Sequence, residues 1–269
     1  MTADLAESIH LLRTELQRHP GLVVAFSGGA DSAFLAWVAT DELGPDRVAC
    51  ITAVSPSLPA DELDDCRSLA AEWGLAWSTV ETHELDDARY RANDADRCYH
   101  CKEALSVALD PIAEAAGATI ALGVNVDDLG DHRPGQRAAA EHGAVFPLVE
   151  AGFTKDMVRA ASRELGLRTA DKPAAACLAS RLPYGTPVTL GVLREVEAAE
   201  AGLRRLGFDE LRVRHHRDLA RIEVPLGRLE DVLAHREAVV AVVRAAGYRS
   251  VTLDLEGFRS GNLNDALNL

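Results

Sequence analysis

Leu22-Val23-Val24-Ala25-Phe26-Ser27-Gly28-Gly29-Ala30-Asp31-Ser32 reads as strand, loop and helix in immediate succession. Leu22 to Phe26 is an unbroken apolar run, the pattern of a strand buried on both faces. The two glycines that follow let the backbone come close to an anion and accept positive φ. A helix is predicted from about Ser32, and the amides of its first turn would point at the same spot. A helix dipole contributes only ~0.3–1 kcal/mol per charge, up to ~2 when partly buried. A polyanion held here therefore needs a cation and basic side chains as well.

The pattern continues outward from that stretch. Upstream, Leu5, Ile9, Leu12 and Leu16 mark a helix over Asp4 to Gln17, stopped by Pro20-Gly21. Downstream, strands are predicted at Val48 to Val54, Ala76 to Val80 and Ala118 to Val124. Helices are predicted at Ala60 to Trp73, Lys102 to Ala116 and Thr154 to Leu165, with Thr154 as N-cap. This alternation gives an α/β fold, a Rossmann-like parallel sheet covered on both faces, with ligands at the carboxyl ends of its strands. After about Asp171 the pattern changes to a long helix (Leu190 to Leu206), strands at Leu211 to His215 and Ala220 to Val224, a helix at Leu229 to Ala246 and a last strand at Val251 to Leu255. The expected organisation is a nucleotide-type domain over residues 1–170 and a smaller C-terminal α+β domain over residues 171–269.

The 269 residues are 48% hydrophobic and 26% charged, as in an ordinary globular protein. The net charge of −14 argues against a broad grip on nucleic acid, which needs many phosphate-neutralising Lys and Arg. No apolar run reaches membrane-spanning length, and Met1 to His10 lacks the features of a secretory signal, so a cytoplasmic location is expected. Five cysteines are an odd number for a disulfide framework, and the cytosol keeps thiols reduced. Cys50 falls in an apolar strand and Cys66 on a helix, where both read as structural. Cys98 and Cys101 form a CxxC, which alone fits zinc, redox or cluster chemistry. With Cys177 they make three thiols, one short of a closed tetrahedral set. His100 lies inside the pair and could complete a zinc site, whereas three thiolates on a 4Fe-4S cluster leave one iron open to an external sulfide.

The loop lacks the Gly-Lys-Ser/Thr ending of a Walker A motif. Ser27, Gly28, Gly29, Asp31 and Ser32 resemble instead the SGGxDS loop of the PP-loop ATP pyrophosphatases, which transfer AMP to a substrate oxygen and release pyrophosphate. Asp31 would either bind Mg²⁺ or shape the loop, and Gly123 and Asp128 would join the ATP site from the end of the fourth strand. The resemblance then narrows. The loop, Asp131-His132-Arg133-Pro134-Gly135, Ser180-Arg181-Leu182-Pro183-Tyr184-Gly185-Thr186, Arg212-Val213-Arg214-His215, Ala220-Arg221-Ile222-Glu223 and Thr252 to Gly261 occur in order and together resemble the LarE family.

That resemblance implies ATP-dependent sulfur insertion during nickel-pincer nucleotide synthesis. The carboxylates of a pyridinium mononucleotide would be adenylated and converted to thiocarboxylates. Arg212 and Arg214, two apart on a strand and so on one face, would hold the substrate phosphate with forked donors. Arg181 and Lys102 would meet the nucleotide, and Glu200, Glu223 and Asp231 would form a second metal or substrate site. The family's sacrificial form uses a single cysteine that becomes dehydroalanine. That cysteine would fall at Ala176, so the chain resembles the form in which Cys98, Cys101 and Cys177 carry a 4Fe-4S cluster and sulfide is the donor. Sacrificial transfer from Cys177 and a PP-loop tRNA thiolase are the alternatives. By resemblance the protein is a homo-oligomer, a hexamer.

Overall fold

The computed structural model of the protein describes residues 3–130, 134–173 and 176–259. Asp131, His132, Arg133, Ser260 and Gly261, which belong to the stretches quoted above, lie outside the described residues. In chain order the elements are α1 (Ala3–Leu16), β1 (Leu22–Ala25), α2 (Ala30–Leu43), β2 (Val48–Val54), α3 (Ala60–Trp73), β3 (Trp77–Glu81), α4 (Ala88–Ala92), α5 (Arg97–Ala116), β4 (Thr119–Leu122), α6 (Pro134–Glu141), α7 (Pro147–Glu150), α8 (Lys155–Glu164), α9 (Leu190–Arg205), β5 (Arg212–His216), β6 (Leu219–Glu223), α10 (Leu229–Ala234), α11 (Arg236–Ala245) and β7 (Ser250–Leu253), joined by loops and short 3-10 turns. The chain divides into two compact units: Met1–Glu84 with Cys98–Ala175, and Leu85–Arg97 with Ala176–Leu269. The second unit thus takes in a segment that lies well before the 170/171 boundary read from the sequence.

The first unit is built on a parallel sheet of order β3-β2-β1-β4. β1 is central, pairing in parallel with β2 (Val24 beside Cys50) and with β4 (Val24 beside Ala121). Its side chains alternate between two cores. Leu22, Val24 and Phe26 pack with α1, α2 and α3, while Val23 packs on the opposite face with Leu105, Leu109 and Ala113 of α5. A strand sandwiched in this way has to be apolar throughout, which is why the run is unbroken. Among the described residues no helix is long and apolar enough to cross a membrane.

The second unit holds a mixed sheet of order β5-β6-β7, with β5 and β6 antiparallel and β6 and β7 parallel. Its core joins Ala199 and Leu203 of α9 to Val213, Ala220 and Ile222 of the sheet and to Val239 and Val243 of α11. Asn93 ties Leu85–Arg97 into this unit. It closes α4 in the left-handed conformation, φ 57°. Its buried amide donates to the carbonyls of Pro183 and Thr186, both at 2.9 Å, and its oxygen accepts from Arg97 Nη1 at 2.6 Å. The stretch Ser180 to Thr186 is thereby pinned at its far end.

Three differences from expectation go beyond shifts of one or two residues at element ends. α5 starts at Arg97 and not Lys102, so the CxxC is helical. The helix expected over Leu229 to Ala246 breaks at His235. There the ring packs edge-on against Phe208, and Nδ1 donates to the Asp231 carbonyl at 2.8 Å. α4, α6 and α7 are short helices that hydrophobic periodicity over a long window does not register.

Candidate functional site

The loop after β1 is shaped by Ser32. Its hydroxyl accepts from the Ser27 amide at 3.2 Å, donates to the Gly29 carbonyl at 3.2 Å and lies 3.0 Å from Ser27 Oγ. Gly29 is the N-cap of α2 and brings no side chain to the first-turn amides, so these face the loop mouth. Gly28 needs to be glycine twice over. Its φ is +68°, and a Cβ would stand 2.9 Å from Cys66 Sγ. Gly123, at the end of β4, lies so close to α2 that a Cβ would stand 2.6 Å from the Ser32 nitrogen. The structure therefore places Gly123 at the loop as a packing requirement on the helix N-terminus.

The loop after β4 supplies the second wall. Asn125 donates from its backbone amide to Asp128 Oδ2 at 3.1 Å, and its side-chain oxygen accepts from the amides of Asp127 and Asp128 at 3.0 and 3.3 Å. Asp128 thus holds the turn. Asn125 Nδ2 also reaches Asp31 Oδ1 at 3.3 Å. Asp31 is ion-paired with Lys155, the first residue of α8, whose backbone amide donates to Asp127 Oδ2 at 2.7 Å. Three segments, the α2 turn, the β4 exit and the α8 N-terminus, converge on Asp31.

Sequence reasoning passed over Asn125, Lys155 and Lys172. Lys155 carries a signal in hindsight: a cation in the first turn of a helix opposes the dipole and calls for a local reason. Lys172 lies beneath the loop, its Nζ 3.7 Å from where a Gly28 Cβ would be and paired with Glu62 at 2.8 Å and Asp65 at 2.7 Å. Burial works against its charge, but the two carboxylates win and hold its pKa above the ordinary lysine value.

The five thiols fall into two groups. Cys50 and Cys66 are buried, and burial pushes the Cys50 thiol up to about 12. Cys98, Cys101 and Cys177 are reduced thiols with access to solvent. Cys98 and Cys101 are i, i+3 on α5 and share one face. His100 stands about 200° round the helix from Cys98, and its Nδ1 lies 3.5 Å from Glu103 on its own face. Zinc with His100 between the two cysteines therefore does not suit this helix. Lys102 follows on the same turn, where α6 approaches so closely that a Gly135 Cβ would stand 2.7 Å from Lys102 Cγ and 2.9 Å from the Cys98 carbonyl.

Cys177 belongs to the second unit. There Arg181, 2% exposed, donates to the carbonyls of Ala176 at 2.6 Å and Cys177 at 3.0 Å. Its other nitrogens make a two-point pair with the fully buried Glu200, both contacts 2.9 Å. Glu200 also accepts from the Val213 amide at 3.0 Å. Burial would raise the Glu200 pKa, but the Arg181 charge and these hydrogen bonds outweigh it and hold the carboxyl below its ordinary value. Arg214 donates to both oxygens of buried Glu223, at 3.0 and 2.9 Å, and to the Ser180 carbonyl at 2.9 Å. Glu200 and Glu223 are thus partners of buried arginines, while Asp231 makes an exposed pair with Arg228 at 2.7 Å. Among the described residues, the three acids do not gather into a ligand set.

Arg212, beside Arg214 on β5, donates to the Leu211 carbonyl at 2.9 Å and lies 5.1 Å from the Phe258 ring centroid. Burial, followed by the charges of Arg181, Arg214 and Arg204, lowers its pKa to about 10, with Glu200 opposing. A guanidinium destabilised by neighbouring cations marks a point of positive potential, where an anion would be welcome.

The NAD synthase family model matches residues 5–104, the stretch that contains the glycine loop. The pyridinium-3,5-bisthiocarboxylic acid mononucleotide synthase of Lactiplantibacillus plantarum is 42% identical over 254 residues, 94% of this chain and 91% of that protein. The chain belongs to the LarE family. An uncharacterised protein of Synechocystis sp. is 46% identical over 99% of both chains, and one of Methanocaldococcus jannaschii is 25% identical over 89% of this chain and 91% of its own. As in a PP-loop fold, the LarE chain places its glycine loop at the carboxyl end of a central parallel strand, where open α/β sheets bind ligands.

Proposed function

We propose that this protein is an ATP-dependent sulfurtransferase that adenylates the carboxylates of pyridinium-3,5-biscarboxylic acid mononucleotide and converts them to thiocarboxylates, in nickel-pincer nucleotide synthesis. The observation that carries the reading is the uncapped α2 N-terminus, held against β4 by Gly123 at the loop, in a chain 42% identical to the synthase named above. The amides of Gly29 to Ser32 bind the β- and γ-phosphates of ATP. A substrate carboxylate attacks the α-phosphorus, the bond to the bridging oxygen breaks, and pyrophosphate leaves. Sulfide then attacks the acyl-adenylate carbonyl, and AMP departs with the electron pair of the broken C–O bond. The second carboxylate repeats the cycle.

Asp31 suits Mg²⁺, because it is the carboxylate at the loop mouth, whereas Asp127 and Asp128 are occupied with backbone amides. Lys102 and Arg181 serve the nucleotide, Arg181 by holding the backbone at Cys177. Arg212 receives the substrate phosphate with Arg214 behind it. Residues 1–170 handle ATP, residues 171–269 handle substrate and assembly, and the working form is a cytoplasmic homo-oligomer, a hexamer by family.

The donor chemistry fits a 4Fe-4S cluster: three accessible thiols, two on one helix face, and no cysteine at the sacrificial position Ala176. Bound to three thiolates, such a cluster offers an open iron for the incoming sulfide. Anaerobic reconstitution should load about four irons per chain, measured by iron analysis and by the cluster's absorbance. Joint replacement of Cys98, Cys101 and Cys177 by serine should abolish the loading. Iron content unchanged in that variant would remove the cluster from the account.

A further inference from the structure

Two arginines stand directly opposite each other in the sheet of the second unit. Arg214 on β5 and Arg221 on β6 are register partners of an antiparallel pair, a position where like charges oppose the pairing. They share the sheet face of Arg212 and Glu223, because Val213, Ala220 and Ile222 turn the other way, into the core. Glu223 eases the repulsion by accepting from both, from Arg221 Nη2 at 3.1 Å and from Arg214 as described above. Asp254, just past β7, is ion-paired with Arg221 Nε at 3.4 Å.

The two arginines are not equivalent. Arg214 is buried and reaches Glu223 and the Ser180 carbonyl. Arg221 is 38% exposed, and its Nη1 has no partner among the described residues and is not among the buried unpaired atoms. A guanidinium braced on two carboxylates, with one nitrogen left outward, is a donor already oriented for a planar anion. Arg212 and Arg221 are diagonal neighbours across the pair, about 7–8 Å apart. Two anionic groups of one ligand can therefore lie along this face without competing for the same nitrogen.

We propose that Arg221 binds, through Nη1, the ring carboxylate of the pyridinium substrate that is not being adenylated. The inference rests on the substrate reading given above. That substrate carries three anionic groups. Arg212 takes the phosphate, one carboxylate goes to ATP, and the other is left in need of a donor. The two carboxylates are exchanged by a half-turn of the ring about its bond to the ribose. In the second cycle the thiocarboxylate, still an anion, takes the place on Arg221.

Titration calorimetry on the full chain without ATP tests this with two ligands, the dicarboxylate pyridinium mononucleotide and its monocarboxylate analogue, nicotinic acid mononucleotide. The parent should bind the dicarboxylate roughly tenfold or more tightly than the analogue, the worth of one charge-assisted hydrogen bond. Arg221→Met should bring the two ligands within about threefold. Arg221→Gln, which keeps a polar neighbour for Glu223, should do the same and serves if the methionine variant does not fold. An arginine that grips the phosphate, or only supports the sheet, weakens both ligands by one factor and leaves their ratio intact. That result overturns the proposal, as does a parent that binds the two ligands alike. If the parent binds neither, the substrate reading fails and this contact with it.

Discussion

Gly123→Ala should lower ATP-dependent pyrophosphate release by about 100-fold while the chain stays folded. A Cβ at this position would stand 2.6 Å from the Ser32 nitrogen, 2.7 Å from its Cα and 2.8 Å from the Asp31 carbonyl carbon. All three are backbone atoms, so no rotamer change relieves the contact. The first turn of α2 has to retreat from β4 by a sizeable fraction of an ångström. Overpacking of this kind typically costs ~1–3 kcal/mol of stability, which a domain with two cores on a parallel sheet survives. A displacement of about 1 Å at a reacting centre, however, can cost on the order of 100-fold in rate. Circular dichroism and a pyrophosphate-release assay separate the two effects. Turnover close to the parent's would mean that the α2 amides do not hold the phosphates.

Arg181→Met should destabilise the protein by about 3 kcal/mol, because it strands Glu200 as a fully buried carboxylate. Arg204 Nη2 remains at 3.3 Å and keeps the loss at the lower end of the range. In a chain of this size the melting temperature should fall by roughly 6–12 °C. The pH dependence follows from the direction of the Glu200 shift. In the parent the folded carboxyl lies below its ordinary value of 4.5, so its contribution is complete above that value and is lost as pH falls through the folded pKa. Without Arg181, burial is less fully opposed and Glu200 is easier to protonate when folded. The gap in stability between parent and variant should therefore narrow on acidification. Thermal melts across the acid range check this, and a gap that widens towards low pH would contradict the pairing. Arg181→Met/Glu200→Gln removes the stranded charge and should recover part of the loss.

The first domain was largely legible because its information is local. β2 and α3 begin and end where apolar pattern and turn residues place them, and two glycines after an apolar run mark the phosphate loop. The start of α5 was not legible: Arg97-Cys98-Tyr99-His100-Cys101 carries no apolar stripe, although it is helical and Gly135 of α6 comes close to its first turns. Charge partners were hidden for a different reason. Lys155 acquires meaning from Asp31, 124 residues away, and Lys172 from Glu62 and Asp65. Glu200 and Glu223, read as members of an acidic site, are each matched to a buried arginine. Spacing along a chain reports which side chains share a face, but not which distant charge will neutralise them.

The origin of the sulfur tests the account most directly. Intact mass spectrometry of the reconstituted protein, taken before and after anaerobic turnover with ATP, sulfide and the dicarboxylate pyridinium mononucleotide, reads it out. The account predicts an unchanged polypeptide mass, with each thiocarboxylate accompanied by one AMP and one pyrophosphate. A polypeptide lighter by one molecule of hydrogen sulfide after turnover, with product formed in the absence of added sulfide, would contradict it and make Cys177 the donor.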